Sequence, residues 1–494
     1  MGHFERLTAL DASFLEIETP RSSMAVGAVC VFAGGDLVGD DGAVDAERLR
    51  GYVAAAVARV PRYRQRMVRV PGLGQPVWVD DDRFVLDFHV RHTRLPAPGD
   101  DAQLEALAGR LFSQRLDRDH PLWELWIVEG LRDRRFALIS KIHHAMVDGV
   151  AGADLLAQLL RLAPDTALPA APPAWSPRPP PGRMELVRAE IDHHNRRVVD
   201  GLRRARERLR AGAMGELRAA ARGLADVVWT GVHPAPATRL NPRHIGPYRR
   251  FRTVRFDMGA IRRVRSALGG TINDVVLATV AGGLRRYLVR HADDPTARGA
   301  LRALMPVNVR RGGDRAGGNR VAMLLVELPV DEGAPERRLA RVSAESKRLR
   351  GESGQVAGVT MFEELADAVA TSLVTNVFRL AARLRAFNVT VTNVPGPPVP
   401  LYLLGARLEA IYPLVPLFES QAVGIALFSY AGSLDVGVAT CWHTVPDADD
   451  LIADLRASFA ELEACAASAA TSAAPPLPGV APPRPSPTQP PPPA

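Results

Sequence analysis

The feature that most constrains this chain is a proline-rich run near its middle, APDTALPAAPPAWSPRPPPGR at residues 163–183. Proline removes a backbone donor and fixes φ, so neither a regular helix nor a central strand crosses such a run. The 494 residues are also too many for one hydrophobic core, which makes two lobes the expectation. A second break, HPAPATRLNPRHIGPYRR, covers residues 233–250, and a Pro/Ala-rich tail ends the chain. Four regions follow: an N-terminal lobe over 1–165, linkers with basic amphipathic helix over 166–250, a C-terminal lobe over 251–465, and a tail over 466–494. The tail is too poor in apolar residues to order itself.

Both lobes read as α/β. In the first, AVGAVCVF is a buried strand, and AERLRGYVAAAVARVPRYRQRM is an amphipathic helix stopping near Pro61. LWIVEGL and FALISKIHH are further strands. The second holds a long helical pattern, TINDVVLATVAGGLRRYLVRH, with ALMPVNVR, RVAMLLVELPV, NVTVTNVPGP and AVGIALFSYAGSLDVGVATCW around it. Between the lobes, Val187, Ile191, Val198, Leu202 and Leu209 recur at helical spacing among arginines, which predicts a basic amphipathic helix from residue 183 with a break near Gly212 and Gly215.

Composition narrows the function classes. The formal charge of +8 suits an anionic partner: nucleic acid, an acidic membrane surface or a phosphate-bearing cofactor. Nucleic acid is not expected, because no zinc, helix-turn-helix or RNP-type signature accompanies the charge. Cys30, Cys441 and Cys465 are scattered and odd in number, so neither a disulfide framework nor a cysteine metal site is expected. The N-terminus lacks a basic segment followed by an apolar one, and no window of about 18 residues is apolar enough to span a bilayer. The expectation is a cytoplasmic protein whose membrane contact, if any, is peripheral.

The segment SKIHHAMVDGVAG, residues 140–152, carries the chemistry. In a regular strand His144 closes the row Phe136, Leu138, Ser140, Ile142 and points inward, while His143 shares the other face with Ala137, Ile139 and Lys141. Gly149 and Gly152 then signal a turn into ADLLAQLLRLA. A neutral imidazole accepts a proton near pH 7, and a positioned general base is worth about 10²- to 10⁴-fold in rate. Asp148 either orients a ring or braces the loop. Two rings on opposite faces make poor joint metal ligands, and no HExxH pattern is present, so no metal is expected. A second pair, His193 and His194 followed by Asp200 and Gly201, lies in the basic helix and is read as a solvated look-alike.

HHAMVDG matches the HHxxxDG motif of the coenzyme A-dependent acyltransferase superfamily. Together with LTALDASFLEIE, MAVGAVCVF, FHVRHTRLPAPG, LDRDHPLWELWIVEGL, NDVVLA, MPVNVR and NVPGPP, it resembles the bacterial wax ester synthase/diacylglycerol acyltransferase family, in order from about residue 5 to 465. The resemblance implies a two-lobed chloramphenicol acetyltransferase-like α/β fold with mixed sheets and a tunnel at the lobe interface. It implies acyl-CoA as cosubstrate, no bound cofactor, and diacylglycerol or a long-chain alcohol as acceptor at a membrane face or lipid droplet.

By position, the resemblance makes His144 the general base and His143 its support, with Asp148 and Gly149 fixing the loop. Pro121, Leu122, Trp123, Asn273 and Asp274 match motifs of the site or its walls, and packing or helix capping accounts for them equally well. Thr392 and Asn393 are candidate donors to an oxyanion. Cys441 and Ala25 stand where that family is expected to carry Asp and His. One rival takes His143 and Asp148 as an HX4D pair of glycerol-phosphate acyltransferase type, with His143 as base; another is a non-catalytic lipid-binding or lipid-droplet protein. No GxSxG nucleophile elbow is present, in keeping with direct transfer.

Overall fold

The computed structural model describes residues 4–70, 75–147, 155–170, 175–210, 234–308, 321–351 and 385–472. Two six-stranded mixed sheets and one small three-stranded sheet form the framework. The first large sheet runs, in spatial order, β12 (Tyr402–Leu403), β13 (Ala406–Leu414), β2 (Ala25–Phe32), β7 (Phe136–His143), β6 (Trp123–Glu129) and β5 (Val90–Arg94). The apolar runs AVGAVCVF and FALISKIH occupy its centre, where strands buried on both faces read as continuous rather than alternating. Gly27 lets these two strands close up: an added Cβ would lie 1.8 Å from the Ser140 carbonyl oxygen and 2.7 Å from the Phe112 ring. That ring belongs to α3 (Asp101–Ser113), which covers this face of the sheet.

The second large sheet runs β10 (Val321–Leu328), β9 (Leu301–Asn308), β11 (Val389–Pro395), β14 (Val423–Tyr430), β15 (Ser433–Cys441) and β8 (Arg249–Asp257). Only β11 pairs in parallel there, with β9 and with β14. Its helices are α6 (Met258–Leu268), α7 (Ile272–Arg290), α8 (Pro335–Gly351) and α9 (Ala448–Ser472). Gly283 brings α7 against Leu455 of α9, where an added Cβ would meet the Leu455 side chain at 2.6 Å. Helix α9 continues to Ser472, past the expected lobe end at 465, and residues 473–494 lie outside the described residues.

The lobes are not separate stretches of chain. Residues 402–414 fall in the segment assigned to the C-terminal lobe, yet β12 and β13 complete the first sheet, with Tyr412 opposite Val29 and Leu414 opposite Gly27. Apolar patterning marks 406–414 as a strand and is silent on which sheet it joins. This crossover fixes the second half of the chain beside β2 and β7.

The proline-rich run is strapped down rather than loose. Arg178 donates to Asp80 from its backbone N and from Nε and Nη2, at 3.1, 3.0 and 3.0 Å. Burial pushes the Asp80 carboxyl up, and the bonds from Arg178 and Gln65 outweigh it and hold the group at about 2. Trp175 lies under the Arg64 guanidinium.

The basic helix α5 (Arg183–Arg210) buries Leu186 against Val70, Val77 and Val79, beside the small sheet of β1 (Glu5–Arg6), β4 (Val77–Asp80) and β3 (Gln65–Val68). An Arg6–Glu190 ion pair adds to that contact. Of the expected apolar stripe, Val187 is half-buried and Ile191 is 55% exposed, and the side chains of Val198, Leu202 and Leu209 lie outside the described residues. The proposed break near Gly212 and Gly215 lies outside the described residues.

Candidate active site

The site grows from the exit of β7. Its two flanking strands hold the last residue: Ala25 of β2 is the register partner of His143, and the His143 N–H donates to the Leu122 carbonyl at 2.9 Å. The strand ends there. His144 opens a short 3₁₀ turn, His144–Met146, and its N–H donates to the Met24 carbonyl at 2.8 Å. The enclosed ring is therefore His143, on the face of Ala137, Ile139 and Lys141, and His144 leaves the strand instead of closing the other row.

The two rings occupy different surroundings. His143 is 1% exposed. Its Nδ1 accepts the Ala145 N–H at 3.1 Å, which puts the proton of the neutral ring on Nε2. That nitrogen faces Oε1 of Glu18 at 3.7 Å. Burial first, then the Arg118 charge and His144, push the His143 pKa down to about 3. His143 is thus a neutral ring whose basic nitrogen is already capped. His144 is half-buried, and its ring stacks on Phe14 with centroids 3.8 Å apart and planes 23° apart. Phe14 comes from α1 (Ala9–Ile17), whose N-cap is Thr8.

Pro121, Leu122 and Trp123 are buried beside the pair. Leu122 supplies the carbonyl that receives His143, while the Trp123 indole donates to the Tyr63 carbonyl at 2.8 Å and stacks on His89. These three residues build a wall.

Asn273, Asp274, Thr392 and Asn393 gather in the second sheet and its helix. Asn393 Nδ2 donates to Asn273 Oδ1 at 3.2 Å. Asp274 closes a capping box with Thr271, its Oδ2 accepting the Thr271 N–H at 2.9 Å. Its carboxylate thus starts α7. Thr392 sits opposite Ala426 on β14 and is half-buried. Asp148 and Gly149 lie outside the described residues.

The histidines sit at a seam between the two halves of the chain. Ser22 Oγ donates to the Leu417 carbonyl at 2.5 Å, and Arg249 Nη2 donates to the Arg21 carbonyl. Both contacts lie within three residues of Met24, which receives His144. An open cleft of about 450 Å³, lined by Asp101, Glu105, Arg135, Arg255 and Tyr412, is a different place. It meets β2 at Val29 and Val31, along the strand from the Ala25–His143 pair.

Sequence reasoning gave no role to several residues of this site. Glu18, Arg118 and Phe14 stand within the stretches LTALDASFLEIE and LDRDHPLWELWIVEGL, but Phe14 and Glu18 lie more than a hundred residues of chain from the histidines they approach. Lys141 is 1% exposed, and among the described residues its Nζ has no hydrogen-bond partner. Burial lowers its pKa to about 8, opposed by Glu124 and Glu18. Its signal was compositional: lysine stands at only positions 141 and 347 of a chain with 62 Lys and Arg.

Comparison with known proteins adds family evidence to this geometry. The wax ester synthase/diacylglycerol acyltransferase catalytic domain model matches residues 7–276, and the WS/DGAT C-terminal domain model matches residues 317–463. A putative diacylglycerol O-acyltransferase of Mycobacterium tuberculosis is 32% identical over 458 residues, covering 90% of this chain and 87% of the relative. A probable diacylglycerol O-acyltransferase of the same species is 34% identical over 460 residues, covering 91% and 96%. Among solved structures, the wax ester synthase/diacylglycerol acyltransferase from Marinobacter aquaeolei VT8 aligns with a TM-score of 0.68 and 28% identity, over 94% of this chain and 100% of that one. The first condensation domain of the CDA synthetase aligns with a TM-score of 0.58 at 17% identity, over 94% and 97%, a likeness of fold.

Proposed function

This chain belongs to the wax ester synthase/diacylglycerol acyltransferase family, and on that premise we propose that it transfers a fatty acyl group from acyl-CoA to a lipid hydroxyl with His144 as general base. The acceptor is diacylglycerol or a long-chain alcohol, giving a triacylglycerol or a wax ester. The uncharged His144 ring takes the hydroxyl proton as the oxygen attacks the thioester carbonyl. The tetrahedral oxyanion requires donors already in place, and Thr392 with Asn393, the latter held by Asn273, are the candidates. Collapse breaks the C–S bond, the imidazolium returns its proton to the departing sulfur, and CoA and ester leave. No acyl-enzyme forms. Asp148 and Gly149 hold the loop after the pair in this reading.

The observation that carries this assignment is the asymmetry of the two rings. His143 is buried, its Nδ1 accepts a backbone N–H, and its pKa is pushed down to about 3; His144 is half-buried in a turn at the seam. The same asymmetry weighs against the HX4D alternative, which needs His143 as base. The test compares His144→Ala with His143→Ala using labelled acyl-CoA and diacylglycerol or hexadecanol. Loss of ester formation in both, with folded protein and a residual rate at least ten times higher in His143→Ala, is the expected result (about 10³-fold loss for His144→Ala). Binding of substrate with no CoA release by the wild-type protein would favour the non-catalytic lipid-binding alternative.

Peripheral lipid contact belongs to the same proposal. Among the described residues no single helix is long and apolar enough to cross a membrane. Helix α5 leaves Met184, Ile191 and Val199 exposed at 67%, 55% and 48% among its arginines, a composition suited to an anionic interface. Sedimentation with phosphatidylglycerol vesicles, with and without Ile191→Glu, checks it.

A further inference from the structure

Three segments of chain meet one carboxylate behind the histidine pair. Glu18 follows α1, and its side chain is 1% exposed. Its Oε1 accepts the Met24 N–H at 3.1 Å and faces His143 Nε2 at 3.7 Å. Its Oε2 accepts from Arg118 Nε at 3.1 Å and Nη2 at 2.7 Å, and the same Nη2 donates to the Leu15 carbonyl at 2.7 Å. Each anchored segment bears on His144. Met24 receives the His144 N–H through its carbonyl. Leu15 is the neighbour of Phe14, whose ring lies on the His144 ring. His143 is its chain neighbour.

A buried ion pair is weak evidence for stability, since desolvation offsets the attraction and apolar replacements are often neutral or better. Its geometry here is informative in another way, because its bonds end on Met24, which holds the His144 backbone, and on Leu15, the neighbour of the Phe14 that stacks on the His144 ring.

We propose that Glu18 and Arg118 are positioning residues for acyl transfer, setting through Met24, Phe14 and His143 the orientation in which the His144 ring meets the acceptor hydroxyl. The proposal rests on the reading of His144 as base. A displacement of about 1 Å at a reacting group costs about 10²-fold.

Steady-state kinetics with acyl-CoA and diacylglycerol, alongside melting temperature, test this on Glu18→Gln, Arg118→Met and the double variant E18Q/R118M. Arg118→Met leaves a buried carboxylate unpaired and Glu18→Gln leaves a half-buried guanidinium without its counter-charge, so both stability and kcat are expected to fall. The double variant leaves no uncompensated charge. Its melting temperature is expected to recover toward wild type while kcat stays about 10²-fold down and KM for acyl-CoA is unchanged. A double variant that regains wild-type kcat along with its stability shows a purely structural pair and overturns the proposal. Should neither Glu18 nor Arg118 tolerate change, Phe14→Leu keeps both charges and removes only the ring contact, and wild-type kcat in that variant overturns it equally. His144→Ala separates the two readings. Turnover retained there sinks the base assignment and the brace together, whereas a dead His144→Ala with a wild-type double variant sinks the brace alone.

Discussion

His143 closes a strand paired on both sides and His144 opens the turn after it, whereas His193 and His194 sit partway along α5, a helix that leaves Met184, Ile191 and Val199 in solvent. The letters are nearly the same in the two places. At the strand exit, β2 and β6 fix the backbone from either side, and an ion pair from two further segments stands behind it. On the helix, His193 is half-buried, and its backbone belongs to a single helix and pairs with no strand on either side. A histidine pair becomes a candidate site through what encloses it, since a ring placed within fractions of an ångström needs contacts from several directions.

The largest expected effect breaks or upholds this contrast directly. His144→Ala should fold and lose about 10³-fold in acyl transfer, measured by ester formation from labelled acyl-CoA. His193→Ala, at the other pair, should leave the rate unchanged, and an equal loss in both would remove the distinction.

The next effect concerns the strand's burial. Lys141 lies two residues before His143 and is 1% exposed, while the chain's other lysine, Lys347, is exposed on α8. Burial lowers the Lys141 pKa to about 8 from 10.5. The unfolded chain therefore binds that proton more tightly, and stability rises as pH climbs from about 8 to about 10.5. The rise should amount to about 3 kcal/mol by urea denaturation. Lys141→Met should abolish it, and Lys347→Met should not.

The smallest effect lies on the strap. Arg178→Ala removes the bonds to Asp80 and should cost about 1 kcal/mol, given how exposed the arginine is. Faster amide exchange over residues 175–182, with unchanged acyl transfer, is the accompanying expectation. A large fall in activity would mean the strap reaches the site.

Much of the scaffold was legible in advance. AVGAVCVF became β2 residue for residue, and the helix from Ala46 stops at Arg59, two residues before Pro61. HHAMVDG and its companion motifs identified the family. What escaped were relations between distant segments: β13 joining the first sheet, Asn393 reaching Asn273, and Glu18 and Arg118 meeting behind His143. Even within the motif the alternation misassigned the inward ring, because nothing in the letters marks the residue at which β7 turns.

The sequence by itself determined where strands and helices run, where prolines interrupt them, and which short segment is the candidate to carry a base. Those follow from side-chain periodicity and backbone restriction, which act over a few residues. Tertiary structure alone decided which imidazole is enclosed and which borders the seam, and that a carboxylate from the end of α1 stands behind them. Burial and Coulomb energies depend on distance through space, and chain separation does not specify that distance.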